Sequence, residues 1–452
     1  MLKSFLKTYK PYYKSNLNLA IPVVISQLGH TLVHTADSII VGQYAGTVAL
    51  AAVSLVNSVF MVVMMIGIGI SYGLTPLIAQ ENGKKNYPEC GKLLLNSLFI
   101  NVLFGISLYI VMYFGSVYAL DHLHQQPEVV AQAKPYLALL SISIIPLMVF
   151  LSFKQFAEGL GFTKQAMIIT ILGNIINVII GITLVKGLFG IPPFGITGVG
   201  YSTLIDRCLM AVVMYIYVVK SHHFKLYISE FFAFQLNRFR IKRILKLGAP
   251  TAMQYAFEVS AFSGAAIMIG TLGAVEQAAH QVALNLASTT YMMASGIAAA
   301  ATIKIGNSYG AKNFNKLRLS AISSYHIVLV FMGIMALLFV LLNQYLPRVF
   351  SKDILVINIA ASLLLIAAVF QLFDGAQVVG LGILRGMGDV NIPTFITFLS
   401  YWILGLPVGY WLGIELKMGV YGVWIGLSSG LLATSILLYY RFNTISKSIL
   451  KA

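Results

Sequence analysis

The stretch GISYGLTPLIAQENGKKN at residues 69–86 returns as GIAAAATIKIGNSYGAKN at residues 296–313. Gly69, Thr75, Gly83, Lys85 and Asn86 meet Gly296, Thr302, Gly310, Lys312 and Asn313, each pair 227 positions apart. At the same offset, Glu-Gly-Leu-Gly from Glu158 to Gly161 meets Arg-Gly-Met-Gly from Arg385 to Gly388. With small loop indels, Pro22 falls on Pro250 and Gly195-x-x-Gly198 on Gly419-x-x-Gly422. One unit is therefore written twice. We read an N-terminal lobe over 1–220, a basic linker over 221–247 and a C-terminal lobe over 248–452. Duplicated membrane halves place a substrate site where they meet, near mid-membrane, and work by rocking one half against the other.

Composition says why such a unit belongs in a bilayer. Of 452 residues, 58% are hydrophobic and 10% charged, too little charge to cover a soluble protein of this length. Apolar runs long enough to cross about 30 Å of hydrocarbon lie near 17–41, 49–79, 93–118, 134–158, 166–187 and 196–219, and again near 248–272, 278–303, 320–346, 356–384, 392–414 and 420–440. Backbone amides in lipid need internal partners, so these runs are helices; the weak alternation of a membrane barrel is missing. The expected fold is an all-α integral membrane protein of twelve transmembrane helices in two pseudo-symmetric six-helix bundles. Lys3, Lys7, Lys10 and Lys14 precede a first run that contains His30, His34 and Asp37 and has no cleavage site, which makes it a retained span and not a secretory signal. Cys90 and Cys208 have neither metal-ligand spacing nor a disulfide framework.

The net charge of +16 invites a nucleic-acid reading, but the basic residues are sorted by side of the membrane. The odd-numbered loops carry only Lys134, Lys186, Arg348, Lys352 and Lys417, and Lys154 and Arg207 lie within spans; the other lysines and arginines sit at the termini and in the even-numbered loops. The positive-inside rule then puts both termini in the cytoplasm, and no nucleic-acid partner is expected. The linker, rich in phenylalanine from Phe224 to Phe239, reads as an amphipathic segment along the membrane surface. No Gly-x-x-x-x-Gly-Lys-Ser/Thr loop is present, so energy must come from an ion gradient and no cofactor is expected.

An ionisable group mid-span costs roughly 2.5 to 3.5 kcal/mol on insertion scales and asks for a reason. In span one, Gln27, His30, His34 and Asp37 share a helical face. Span seven offers Gln254, Tyr255 and Glu258, the last at the repeat position of His30. Span eight offers Gln277, Gln281 and Asn285, and span ten Gln371, Asp374 and Gln377 at three-residue steps. Spans seven, eight and ten are expected to share a wet pocket. Glu258 and Asp374 with amide and carbonyl oxygens suit Na+; they equally suit H+, since burial beside a second carboxylate makes the charged form costly. Asn174 and Asn177 of span five divide evenly between ion ligands and helix-bonding amides. His30 and His34 divide between proton carriers and core histidines. Asp206 and Arg207 read as an internal ion pair of structural use, and Lys154, Glu158 and Arg385 as snorkelling residues. The 17 methionines and the many aromatic residues suit a deformable lining for amphiphilic ligands, and aromatic faces attract organic cations.

Two rival classes differ in what they require. A flippase for lipid-linked oligosaccharide needs intramembrane lysines or arginines to meet pyrophosphate, and here Lys154, Arg207, Lys304 and Arg385 lie mostly toward the cytoplasmic ends. A polytopic enzyme needs an acidic metal motif or a nucleophile with its base; the nearest cluster is Asp121-His122-x-His124, with no further ligand close in sequence.

These residues together resemble the multidrug and toxic compound extrusion (MATE) family, and most closely its bacterial NorM branch. The carrying segments are Ala36-Asp37-Ser38 with Gly42, Gly-Ala-Pro at 248–250 followed by Glu258, Ala-Ala-His-Gln-Val-Ala-Leu-Asn at 278–285, and the run from Gln371 through Asp374, Gln377 and Leu384-Arg385-Gly386 to Asp389. The resemblance covers nearly the whole chain. It implies a V-shaped pair of six-helix lobes in the bacterial inner membrane, a monomer that exports small organic cations in exchange for Na+ or H+ and is not an enzyme. It implies a C-lobe cation site at Glu258 and Asp374, and an N-lobe acid at Asp37 joined by Asn177 and Thr203. Two departures stand out: Gly181 where a relative carries a second polar side chain, and Phe370 where a tyrosine is familiar.

Overall fold

The computed structural model describes residues 2–451 except 116, 117, 119 and 121–125, with side chains from Lys7 onward. Helix follows helix: α1 (Leu2–Tyr44), α2 (Thr47–Ser71), α3 (Leu74–Gly83), α4 (Tyr87–Ile110), α5 (Pro127–Ile142), α6 (Ile144–Gly159), α7 (Thr163–Lys186) and α8 (Ile196–Lys220). Past the connector come α9 (Arg238–Gly270), α10 (Ala274–Gly310), α11 (Phe314–Leu341), α12 (Ile354–Met387), α13 (Asn391–Phe398), α14 (Leu406–Tyr410) and α15 (Gly419–Lys451). Short breaks join α2 to α3 and α5 to α6 within single spans. The eleventh span relaxes into π-helical turns at Leu399–Gly405 and Trp411–Glu415 around α14. Among the described residues, eleven runs are long and apolar enough to cross a membrane; α9, which carries Gln254 and Glu258, supplies the remaining span.

The repeat read in the sequence is a repeat of backbone geometry. Lys85 and Lys312, both bulky, take left-handed φ of 61° and 55°. Around them the same bonds recur: Asn86 N donates to Glu81 O at 3.0 Å, and Asn313 N to Ser308 O at 2.9 Å. Gly161 and Gly388 end their helices at φ 93° and 83°, where a side chain would be strained. Thr75 bonds Gln155, and at the equivalent place Thr302 bonds the Gly382 carbonyl at 2.8 Å.

Packing divides the chain differently from the linear repeat. One compact unit holds Leu28–Ala252; the other holds the chain up to Gln27 together with Met253 onward. The changeovers fall inside α1 and α9, a few residues past Pro22 and Pro250, where proline removes a helical hydrogen bond. In the first unit, a side chain on Gly69 would strike the Ala252 backbone, and one on Gly73 would lie 2.7 Å from Gly248 N. In the second, one on Gly296 would lie 2.7 Å from Val24 N, the repeat mate of Ala252. Asn16 fastens the start of α1 to α11, its Nδ2 within 2.8–3.0 Å of Ser320 O, Ser323 Oγ and Ser324 Oγ. Glycines set the last helix pair of that unit: Gly405, Gly409 and Gly413 face Gly430, Gly426 and Gly422, bringing backbone onto backbone.

Candidate ion and substrate sites

In the unit that contains α12, the three-residue stripe faces inward. Gln371 and Gln377 have no solvent exposure, Asp374 has 3% and Glu258 has 6%. Neither amide atom of Gln371 has a hydrogen-bond partner, nor has Asp374 Oδ1 or Gln377 Nε2. Buried polar atoms left unbonded are costly, and several converging along one helix face mark a place prepared for something else. The charges of Glu258 and Asp374 lie within electrostatic reach of each other. Arg385 is within reach of Glu258 and offsets part of that repulsion.

The surrounding side chains fix these groups. Tyr291 of α10 donates to Glu258 Oε2 at 3.4 Å, and Tyr401 donates to Gln377 Oε1 at 2.9 Å. Gln254 is fully used: its Nε2 donates to Thr394 Oγ1 at 3.0 Å and Val390 O at 3.3 Å, while Arg385 donates to its Oε1 at 3.4 Å. It is a strut between α9 and α13. Tyr255 is half-buried and bonded to Arg385. Phe370 belongs to an aromatic wall, its ring 5.5 Å from Trp424 and 6.1 Å from Phe262. Gln281 and Asn285 lie on an exposed face and bond each other at 3.3 Å. The member of α10 that reaches the carboxylates is Tyr291, which lies off the Gln277–Asn285 stripe; only a phenol placed in an apolar span hinted at it.

The other unit gathers a second polar group. Asp37 and Asn177 are buried, Asn177 donating to Thr203 Oγ1 at 3.4 Å. Asp37 Oδ1, Asn174 Nδ2, Asn177 Oδ1 and Asp206 Oδ1 lack hydrogen-bond partners. Small residues make the room. A side chain on Gly29 would lie 2.7 Å from Asn174 Nδ2, and one on Gly173 2.6 Å from Asp206 Oδ1. Gly181 faces Ser202 and Ile40. His30 and His34 are half-buried within electrostatic reach of Arg207, which also faces Asp37.

Two expectations need correction here. Asp206 and Arg207 do not form the ion pair read from their adjacency, because neighbours on a helix point about 100° apart; no nitrogen–oxygen contact within 4.0 Å joins them, and Arg207 instead donates to Ser143 Oγ at 2.7 Å and stacks on Phe60 at 4.9 Å. Lys154 and Glu158 do not snorkel. Both are buried and pair at 3.9 Å, one helical turn apart. The Asp121-His122-x-His124 cluster lies outside the described residues, except that Leu120 before it is described. Among the described residues, no three His, Cys, Asp or Glu side chains converge on a metal position. Two carboxylates with neutral oxygens suit a monovalent cation or a proton better than a transition metal.

The repeated helical fold agrees with what comparison finds. The MatE family model matches residues 22–183 and 250–411, one match for each repeat. The chain is 31% identical to the multidrug resistance protein MdtK of Pectobacterium atrosepticum, covering 95% of this chain and 94% of that protein. It is 32% identical to MdtK of Photorhabdus laumondii, over 98% and 97% of the two chains, and 31% identical to a probable multidrug resistance protein NorM of Agrobacterium fabrum, over 97% and 95%. The fold matches the eukaryotic MATE transporter AtDTX14 at a TM-score of 0.88 and 18% identity over 98% of this chain and 99% of that one. It matches an outward-facing multidrug resistance MATE family transporter at 0.90 and 21% identity, over 98% and 97%. A twice-built helical frame, matched by the family model at both repeats and by relatives along its length, belongs to the MatE family: the chain is a multi-pass multidrug efflux transporter and not an enzyme.

Proposed function

We propose that the chain is a secondary antiporter that exports cationic or amphiphilic aromatic compounds in exchange for Na+ or H+. The observation that carries this reading is Asp374: buried, with Oδ1 unbonded, and within reach of the Glu258 charge. A cation or proton arriving there relieves repulsion between two carboxylates, and a cation also gains Gln371 Oε1, which has no hydrogen-bond partner, as a ligand. The ion drives a conformational change only through unequal affinity for the two states; one charge crossing 100 mV contributes about 2.3 kcal/mol. Phe370, Tyr255 and Tyr291 offer ring faces to an organic cation. Asp37, with Asn174, Asn177 and Thr203, is the second ion-coupling group. The protein acts as a monomer in the bacterial inner membrane with both termini cytoplasmic, as the distribution of lysine and arginine supports.

The test is ethidium efflux from proteoliposomes under Na+ and H+ gradients imposed separately. Efflux under a Na+ gradient makes Glu258 and Asp374 a sodium site. Efflux under an H+ gradient alone assigns them protonation and raises the importance of Asp37. Glu258→Gln and Asp374→Asn each abolish efflux while the protein still inserts. No efflux with either gradient from correctly inserted protein overturns the reading.

A further inference from the structure

The connector between α8 and α9 is held rigidly against its unit, yet its middle presents large apolar side chains outward. Tyr227 donates to Asn82 Oδ1 at 3.1 Å, and its carbonyl lies 2.5 Å from where a side chain on Gly91 would begin. Phe224 and Phe231 are buried, with Phe224 4.8 Å from the ring of Phe162. Asn96 holds the next stretch through both amide atoms, donating to Gln235 O at 3.3 Å and accepting from Asn237 N at 2.9 Å. Arg240 then grips Glu89 with two bonds of 2.9 Å, and Arg243 reaches Glu81 at 2.6 Å.

Between these anchors the side chains that ought to be hidden are exposed. Phe232 is 51% exposed, Phe234 76%, Leu236 51% and Phe239 74%. Phe234 is held at φ 47°, a left-handed conformation unfavourable for a bulky residue. A clamped segment that keeps four large apolar groups outward, one at the expense of backbone strain, is shaped for an apolar surface. Charge specifies which one. The acids at this end are already engaged: Glu81 by Arg243 and Lys84, Glu89 by Arg240, Glu230 by Lys92 at 3.6 Å. Lys225, Arg238, Lys242 and Lys246 are exposed and, among the described residues, have no acid within 4.0 Å. Apolar rings beside uncompensated cations complement the boundary between acyl chains and anionic headgroups.

We propose that residues 225–246 form a fixed docking ledge for anionic phospholipid, with Phe232, Phe234, Leu236 and Phe239 seated at the acyl boundary and Lys225, Arg238, Lys242 and Lys246 on the phosphates. The proposal is independent of the transported substrate and coupling ion. Phe234→Trp, reconstituted in phosphatidylcholine vesicles with a small fraction of acyl-brominated phosphatidylglycerol or, in parallel, acyl-brominated phosphatidylcholine, tests it after subtraction of the wild-type emission from Trp402, Trp411 and Trp424. The added emission is expected to be quenched by brominated lipid, spared by aqueous iodide, and quenched severalfold more by the anionic lipid. Replacing Lys225, Arg238, Lys242 and Lys246 by Gln removes that preference. Emission quenched by iodide and not by lipid overturns the proposal and leaves the ledge facing water, open to a protein partner. Equal quenching by the two lipids overturns the anionic recognition. Phe239→Trp gives the same readings should Phe234→Trp fail to fold.

Discussion

Tyr291 donates to Oε2 of Glu258 across 3.4 Å, so a carboxylate on α9 is oriented by a phenol on α10. The bond is long, and a hydrogen bond to a charged group contributes about 1.5 kcal/mol at the lower end of its range. Tyr291→Phe keeps the ring and removes the donor. With Na+ as the coupling ion, its half-saturating concentration is expected to rise about tenfold, with maximal efflux largely retained. An unchanged ion dependence in proteoliposomes would show that the bond does not position Glu258 for its ion.

Gln371 separates a structural role from a ligand role. Both its amide atoms are buried and unbonded, and each such atom costs about 1–3 kcal/mol. Gln371→Leu removes that cost at nearly constant volume. Thermal unfolding in detergent is expected to move up by a few degrees while ion-driven efflux falls at least tenfold. Higher stability with wild-type efflux would reduce Gln371 to a packing residue.

How far the sequence reaches can be judged at individual residues. Gly83-x-Lys85-Asn86 and Gly310-x-Lys312-Asn313 announce one turn twice, and the backbone repeats it bond for bond, because a local turn depends on a few neighbouring residues. The stripe Gln371, Asp374, Gln377 was legible for the same reason: three-residue steps on a helix fix a shared face. Tyr291 and Tyr401 were not, since a tyrosine in an apolar span reads as bulk until the opposing helix is known. Nor does periodicity tell that α1 up to Gln27 packs with the later half of the chain. That exchange depends on contacts such as Asn16 with Ser320, Ser323 and Ser324, more than 300 residues apart. Gln254 misled in the opposite direction: its place one turn from Glu258 suggests a ligand, whereas its hydrogen bonds are spent on Thr394, Val390 and Arg385.

The two left-handed lysines give a stability prediction for each repeat. A non-glycine residue in this region costs roughly 1–2 kcal/mol; glycine removes that strain but gives part of the gain back through its freer unfolded chain. Lys85→Gly and Lys312→Gly are each expected to stabilise by up to about 1 kcal/mol, without changing transport. Lys85→Ala and Lys312→Ala keep the strain and should show no gain. A lower melting temperature for both glycine variants would mean that the lysine side chains themselves hold these turns.

The glycine-lined contact between the π-distorted eleventh span and α15 gives the sharpest packing test. A side chain on Gly426 would meet the backbone of Gly409, and one on Gly422 would lie 2.5 Å from Gly413 N. Backbone atoms cannot turn aside as a flexible side chain can, so the helices must part along their length. Gly426→Ala is expected to destabilise by about 1–3 kcal/mol or more, the usual cost of overpacking. Gly264→Ala is the matched control: the added methyl lies 3.5 Å from Leu406 Cδ1, an ordinary contact, and replacing a helical glycine gains up to about 1 kcal/mol. Melting temperatures in detergent should therefore move in opposite directions for the two substitutions. Equal and small shifts would show that the eleventh span adjusts its π-helical turns to admit the methyl, and that the close approach of backbones is a convenience of packing and not a requirement of the fold.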